Sequence, residues 1–234
     1  MLFNKKIVAV LPAYNAAKTL AKTVADIPKE IDAILLVDDG SIDNTVQIAQ
    51  DLGLSTYVLI NRMGYGYNQK RCYSLALDMG ADVVVMIHPD YQYDPRLALS
   101  LAGMVASGVY DAAIGSRIIG GGALKGGMPV YKYVANRALT LAQNLLMGCK
   151  FSEYHTGYRA YSRRVLEFLP VWVFDNGFLF DNQILCKIVS RGYRVGEISC
   201  PTRYDSDSSS ISFWPSVKYG LGVLWTAWKC RRTL

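Results

Sequence analysis

Four stretches of the chain concentrate residue types that handle phosphates, cations or sugar hydroxyls. Asp38-Asp39-Gly40-Ser41 closes an apolar run and precedes a helix. Two adjacent carboxylates are costly unless a counterpart offsets them; a ribose or sugar hydroxyl pair, a base N–H or a metal ion would do so. Acidic residues are also favoured at a helix N-terminus. Asp38 fits that plain role, and Asp39 fits the ligand role. His88-Pro89-Asp90-Tyr91-Gln92 places three donors at alternate positions. In an extended stretch alternate side chains share a side, so His88, Asp90 and Gln92 are expected to face one cation. Oxygen donors suit Mg²⁺, and a histidine tilts the choice toward Mn²⁺. A satisfied loop histidine is the competing reading of His88. The chain has 2 histidines; the other, His155, lies in a polar segment that the fold could bring to the first. Gly64-x-Gly66 precedes a helix, but Gln69 spoils a dinucleotide fingerprint. A tight turn that lets backbone approach a ligand, with Arg62 beside it, is the better reading. Ser116-Arg117 opens a glycine-rich stretch, Gly120 to Gly127, expected to be mobile, with Lys125 inside it. An arginine there can clamp a diphosphate; a surface arginine is the alternative.

The elements that must position these residues alternate. Apolar β-branched runs at Ile7–Leu11, Ala33–Val37, Thr56–Ile60, Asp82–Ile87 and Tyr110–Ile114 read as strands. Helical spacing covers Ala16–Ile27, Thr45–Leu52, Tyr67–Met79 and Pro95–Ser107. This order predicts an α/β domain: a mostly parallel sheet with helices on both faces. Ligands on such sheets sit at the carboxyl ends of the strands. Each motif above follows a strand, as does Pro12-Ala13-Tyr14-Asn15. Beyond residue 117 the pattern changes. Val130–Met147 reads as a long helix, Glu153–Tyr161 as a polar, aromatic segment, Asn182–Ser190 as a helix and Arg194–Ile198 as a strand. Asp205–Ser212 is a Ser-rich connector, and Phe213–Arg232 closes the chain as a helix. The expected organisation is a domain over 1–210, divided into a nucleotide-binding half (1–117) and an acceptor half (118–210), plus a C-terminal amphipathic helix over 211–234.

Composition narrows the class. The 234 residues are 51% hydrophobic and 19% charged, which excludes a disordered chain. The 5 cysteines are scattered without C-x-x-C spacing, so neither a disulfide framework nor a zinc knuckle is indicated, and a reducing cytosol fits. Lys5 and Lys6 precede an apolar run too short for a signal peptide. No uncharged apolar run reaches the ~18 residues of a membrane span. The net charge of +6 is uneven. Residues 1–116 carry a net −3 and suit a cation, 117–164 carry +7, 165–210 carry −2, and 211–234 carry +4 with no acid. A basic middle and tail suit phosphates or an anionic membrane surface, although a solvated basic face is equally consistent for the middle. In the tail, Phe213, Trp214, Tyr219, Trp225 and Trp228 accompany Lys218, Lys229, Arg231 and Arg232. That mixture describes a helix lying at a membrane interface, against the alternative of a helix docked on the core.

Taken together, these motifs resemble the family 2 inverting glycosyltransferases of the GT-A fold, nearest to the dolichol- and polyprenyl-phosphate sugar transferases. The resemblance spans residues 5–205. Pro12-Ala13-Tyr14-Asn15 looks like the first nucleotide-binding motif. Asp38-Asp39-Gly40-Ser41, with Asp43 and Thr45, looks like the second, and Asn61, Gly64 and Gly66 like the third. His88-Pro89-Asp90 occupies the place of the D-x-D metal motif. Gly115-Ser116-Arg117 and Thr156-Gly157-Tyr158-Arg159 resemble acceptor-side motifs. The chain departs from the family at Ala16 and Ala17, where acidic residues are usual, and at His88, where an aspartate is. It also lacks a clear counterpart among Asp205–Ser212 for an arginine often found before the last helix.

The resemblance implies transfer of a sugar, with inversion, from a UDP- or GDP-sugar to an acceptor, here a polyprenyl phosphate or another lipid-linked group. It implies Mg²⁺ or Mn²⁺ held by Asp90, Gln92 and His88, with Arg117 assisting. Pro12, Ala13, Tyr14, Asn15, Asp39, Gly40, Arg62, Gly64, Gly66 and Asp90 would bind the nucleotide. A phosphate acceptor needs little base catalysis, whereas a hydroxyl acceptor would need Glu153, His155 or Asp181 as base. The expected place is cytoplasmic, peripheral at the inner face of the cell membrane, in cell-envelope glycan synthesis. A homo-oligomer is a further candidate partnership; nucleic acid is not. Two rivals stand beside this reading. A sugar-phosphate nucleotidyltransferase would want a glycine- and arginine-rich loop after the first strand. A non-catalytic nucleotide-sugar-binding protein is motivated by His88.

Overall fold

The computed structural model describes residues 1–202 and 213–231, and the side chains from 216 onward in the last segment. The Asp205–Ser212 connector, Arg232 and the side chains of Phe213 and Trp214 therefore lie outside the described residues.

β1 (Ile7–Ala13) is buried along its whole length. Its residues alternate between two cores: Ile7, Ala9, Leu11 and Ala13 face one, Val8 and Val10 the other. A strand covered on both faces needs no polar positions, which is why it reads as a continuous apolar run. After it come α1 (Leu20–Ala25), β2 (Ala33–Asp38), α2 (Thr45–Asp51), β3 (Ser55–Val58), α3 (Tyr65–Asp78) and β4 (Val83–Met86). A short 3₁₀ turn, Pro95–Leu97, leads into α4 (Ala98–Ala106), then β5 (Ala112–Ser116), α5 (Gly122–Lys125) and α6 (Val130–Met147). The chain continues with β6 (Arg159–Ser162), α7 (Arg163–Phe168), α8 (Phe180–Ser190), β7 (Val195–Ser199) and α9 (Phe213–Cys230).

The strands form one 7-stranded sheet in the order β3-β2-β1-β4-β6-β5-β7. β1 is parallel to β2 and β4, β2 is parallel to β3, and β7 is parallel to β5. β6 alone runs antiparallel, between β4 and β5. Leu20, Ala49 and Leu101 bring α1, α2 and α4 to one face. Tyr73, Val165 and Ile184 bring α3, α7 and α8 to the other. The expected α/β sheet with helices on both faces is therefore present.

Two expectations are corrected. The polar, aromatic segment after Glu153 ends in a strand, β6, whose first residue is the fully buried Arg159. Three of its donors go to the carbonyls of Thr156, Tyr154 and Asp181, which is how a charged residue stands in the sheet. The glycine-rich stretch is not wholly irregular, because α5 forms inside it.

Because β6 is antiparallel, its beginning lies at the carboxyl ends of its neighbours: Arg159 pairs with Met86 and with Ile114. Residues 153–158, which enter β6, thus join the residues leaving β1, β2, β4 and β5. α9 packs on α6 and α8, burying Val223 and Ala227, and so adds a wall beside that edge.

Candidate active site

The loops after β1, β2 and β3 are tied into one unit. Asn15 adopts a left-handed backbone (φ 51°). Its N–H donates to Ser41 Oγ at 2.8 Å, and its Oδ1 accepts from Ile42 N–H at 2.9 Å. Asp38 accepts from the N–H groups of Gly40 and Ser41 and from Ser41 Oγ, so it holds its own turn. Asp39, also buried, accepts from Met63 N–H at 2.7 Å and Gly64 N–H at 2.9 Å, fixing the loop after β3. On this unit the Arg62 guanidinium lies 3.9 Å from the centre of the Tyr14 ring. The pair offers an aromatic face and a cation side by side, the combination that takes a base and a phosphate. Pro12 and Ala13 are buried within β1 and shape the loop from beneath.

Gly64 and Gly66 have a packing reason to be glycine. A Cβ on Gly64 would meet Asn176 O at 2.9 Å; one on Gly66 would meet Asp175 O at 2.6 Å and Gly177 O at 2.8 Å. These glycines admit the 175–177 loop, whatever else approaches them.

Residues 88–92 do not form an extended stretch. Pro89 and Asp90 make a turn, Tyr91 takes φ 58°, and Asp90 Oδ1 accepts from Gln92 N–H at 3.0 Å. The alternation argument fails for that reason. His88 and Gln92 line a common cavity, and Asp90 is not part of its wall. Among the described residues no group of three His, Cys, Asp or Glu side chains could hold a metal ion. What remains suits a sparsely held cation. Asp90 offers one hard oxygen donor, and Mg²⁺ is ordinarily bound by one or two carboxylates with substrate phosphates and water.

The cavity, of about 520 Å³, lies between the strand ends, α6 and α9. Its polar lining includes His88, Arg117, His155 and Asp181, so the two histidines do converge. Arg117 is clamped from behind by Glu153, which is fully buried. Glu153 accepts from Arg117 N–H and Nε at 2.8 Å each, from Arg117 Nη2, and from Asn136 Nδ2 at 2.8 Å. Burial raises the Glu153 pKa, yet the Arg117 charge and these hydrogen bonds outweigh it and hold the carboxyl below its ordinary value. With its oxygens committed in this way, Glu153 is a positioning group for Arg117 rather than a free base. His155 Nδ1 lies 3.0 Å from Tyr219 Oη of α9, while Nε2 is buried with no hydrogen-bond partner among the described residues. Burial pushes its pKa down to about 4, against the pull of Glu153, so the ring is neutral at pH 7. Asp181, in the first turn of α8, accepts from Tyr65 Oη at 2.7 Å through Oδ2. Its Oδ1 is buried without a hydrogen-bond partner among the described residues.

Tyr65, Phe178, Asn136 and Tyr219 belong to this site and were not singled out from sequence for it. Tyr65 and Phe178 stack at 5.0 Å. Only the position of Tyr65, directly after Gly64, hinted at a role.

This architecture is that of a GT-A glycosyltransferase, and the sequence agrees: the model of glycosyl transferase family 2 matches residues 8–169, so the chain belongs to that family. Among its relatives, polyprenol monophosphomannose synthase of Mycolicibacterium smegmatis is 28% identical over 204 residues, covering 83% of this chain and 76% of that protein. Glycosyltransferase AglD of Haloferax volcanii is 28% identical over 233 residues, covering 94% of this chain; the match spans only 36% of AglD. The UDP-N-acetylglucosamine–dolichyl-phosphate N-acetylglucosaminyltransferase of Methanococcus voltae is 26% identical, covering 86% and 87%. The crystal structure of glucosyl-3-phosphoglycerate synthase from Mycobacterium tuberculosis with UDP superposes with a TM-score of 0.73 at 20% identity, over 97% of this chain and 80% of that one.

Proposed function

We propose that this family 2 glycosyltransferase moves a sugar from a UDP- or GDP-sugar to a polyprenyl phosphate at a membrane surface. The observation that carries the reading is the two-sided character of the cavity. Arg117, His155 and Asp181 form a polar end, while Met128, Ala135 and Leu139 supply apolar wall. Tyr131 and Val217 line the cavity and are also exposed at its rim. Beyond that rim α6 exposes Val134, Leu141 and Leu145, and α9 exposes Leu221, Trp225 and Trp228. A phosphate with a long apolar tail suits such a path, and the names of two relatives specify polyprenol and dolichyl phosphate chemistry in those proteins. Lys229 lies over the Trp225 ring and Arg231 over Trp228, a pairing suited to anionic headgroups. No helix among the described residues is long and apolar enough to cross a membrane. The attachment proposed is to the surface, through the exposed aromatic and basic face of α9.

In this reading the donor's nucleotide lies on Tyr14, Arg62 and the loop held by Asp39. Asp90 would hold a Mg²⁺ or Mn²⁺ ion with the donor's diphosphate; such an ion neutralises charge on the departing nucleoside diphosphate. Mn²⁺ and Mg²⁺ occur in crystals of the glucosyl-3-phosphoglycerate synthase. Arg117 supplies fixed positive charge on the same side. The acceptor oxygen attacks the anomeric carbon opposite the diphosphate. The test is transfer of labelled sugar from a panel of UDP- and GDP-sugars to polyprenyl phosphate in vesicles. Label extracted into organic solvent supports the reading. Transfer only to a water-soluble acceptor, such as 3-phosphoglycerate, overturns it.

A further inference from the structure

His88 stands where the family places a metal-motif aspartate, yet its contacts run toward the acceptor cavity. Its Nε2 lies 3.2 Å from Tyr65 Oη, and Tyr65 Oη lies 2.7 Å from Asp181 Oδ2. The phenol has one proton. A carboxylate can only accept, so that proton goes to Asp181. The phenol oxygen must then accept from His88, which requires a proton on Nε2. The Nε2 lone pair is consequently unavailable to a cation. The rings are held for this contact: Tyr65 and His88 stack at 5.7 Å with 14° between planes, and Phe178 stacks on Tyr65 at 5.0 Å. Gly157 is part of the fit. A Cβ there would overlap His88 Nε2 and reach within 3.0 Å of Tyr65 Oη.

At the far end of this chain Asp181 is 7% exposed. One oxygen is occupied by Tyr65, and the other, Oδ1, has no hydrogen-bond partner among the described residues. The nearest charge, Arg159 Nε, is 3.9 Å away and donates to the Thr156 carbonyl. The carboxylate thus presents one buried, unsatisfied acceptor at the cavity that Asp181 lines. A buried acceptor without a partner is costly, and a substrate O–H would satisfy it.

We propose that His88 and Tyr65 are positioning residues. They form a hydrogen-bond chain, His88 Nε2–H to Tyr65 Oη–H to Asp181 Oδ2, that holds Asp181 with Oδ1 free for the acceptor's O–H. His88 does not serve the cation through Nε2. This rests on the function proposed above for turnover, but the tautomer does not. The O–H belongs either to a hydroxyl or to a singly protonated phosphate. In both cases the acceptor oxygen forms the new bond to the anomeric carbon as the bond from that carbon to the diphosphate oxygen breaks, the nucleoside diphosphate leaves, and the acceptor's proton passes to Asp181.

Two measurements test it. With only two histidines in the chain, long-range ¹H–¹⁵N NMR at mildly alkaline pH separates His88 from His155. The expected result is the Nε2–H tautomer for His88, with its signal displaced in Tyr65→Phe. An Nδ1–H tautomer overturns the proposal whatever the substrate is. The second measurement is kinetic, with variants first checked for wild-type melting. His88→Ala and Tyr65→Phe should each lower kcat by about 10-fold or more, leaving the donor KM and the half-activating Mn²⁺ concentration unchanged. The double variant should lose no more than the worse single one, because both cut the same chain. His88→Gln, which can donate from a similar place, should recover most of kcat. A shift of about 10-fold in half-activating Mn²⁺ on His88→Ala, or additive losses, would return His88 to the metal and refute the chain. Running the assay with a polyprenyl phosphate and with a soluble hydroxyl acceptor distinguishes the source of the O–H. If the wild type turns over neither, the function proposed above fails, while the NMR result still decides the tautomer.

Discussion

Glu153→Gln isolates the device that holds Arg117 at the cavity. The carboxylate is fully buried and Arg117 is nearly so, at 11% side-chain exposure. Four donors converge on the Glu153 oxygens: three from Arg117 and one from Asn136. Removing one partner of a buried ion pair costs about 3–5 kcal/mol, because the other charge is left uncompensated. The amide keeps one accepting oxygen, so the lower end, about 3 kcal/mol, is expected. For a chain of this size each kcal/mol shifts Tm by about 2–4 °C, which gives a fall of about 6–12 °C near pH 7. The sign with pH follows from the lowered Glu153 pKa. The stabilisation is fully present above the ordinary value of 4.5 and is lost as pH falls through the lower folded value. Melting curves from neutral to acid pH should therefore show wild type and variant converging at the acid end. Turnover should fall as well, since a displacement of about 1 Å in a positioning group can cost 10²-fold. Arg117→Met combined with Glu153→Leu should restore part of the stability and none of the activity, separating the two roles. A variant that melts within about 2 °C of wild type and turns over normally would refute the reasoning.

Burial lowers the His155 pKa to about 4, so its stabilisation is full above 6.5 and is lost as pH falls from 6.5 toward 4. His155→Gln should flatten the Tm–pH curve in that window; parallel curves would count against it. Asp39→Asn weakens two hydrogen bonds that hold Met63 and Gly64, and bonds to a charged group are worth about 1.5–3 kcal/mol each. Calorimetry should show UDP or GDP binding at least about 10-fold weaker, and an unchanged Kd would remove Asp39 from the nucleotide site. Gly66→Ala places a Cβ against backbone that cannot rotate away, so it should cost about 1–3 kcal/mol in thermal or urea melts; wild-type stability would show that the 175–177 loop yields freely. Trp225→Ser with Trp228→Ser should release the protein from anionic vesicles without lowering Tm, since both rings are exposed. Equal co-sedimentation of variant and wild type would place the membrane contact elsewhere.

Residues 1–117 are legible in sequence because a parallel sheet constrains them. β1, β4 and β5 are buried throughout and β2 over its last four residues, so these appear as apolar runs, while β3 is largely exposed at the sheet edge. Every motif follows a strand, because the carboxyl ends of parallel strands share one edge. The residues after 117 obey no such rule. β6 is hidden by Arg159, a charge at a fully buried position that three carbonyls satisfy, and periodicity cannot represent that compensation. Residues 88–92 mislead for a related reason. Pro89-Asp90 is a turn pair that outweighs the alternation of donors, and the left-handed Tyr91 after it is not a glycine, so the bend beyond Asp90 carries no mark of its own. Gly64 and Gly66 show that one residue type can answer two demands. A close ligand and a close loop both forbid a Cβ, and only the positions of Asp175, Asn176 and Gly177 show that the loop already suffices. α9 is the counterpart on the surface. Its sequence supports a membrane helix and a docked helix alike, and the fold docks it while leaving an aromatic outer face exposed. Val223 and Ala227 turn inward, Tyr219 reaches His155, and Trp225 and Trp228 face outward. The same helix that borders the cavity thus carries an exposed aromatic face, so its docking leaves that face open for the surface attachment proposed above.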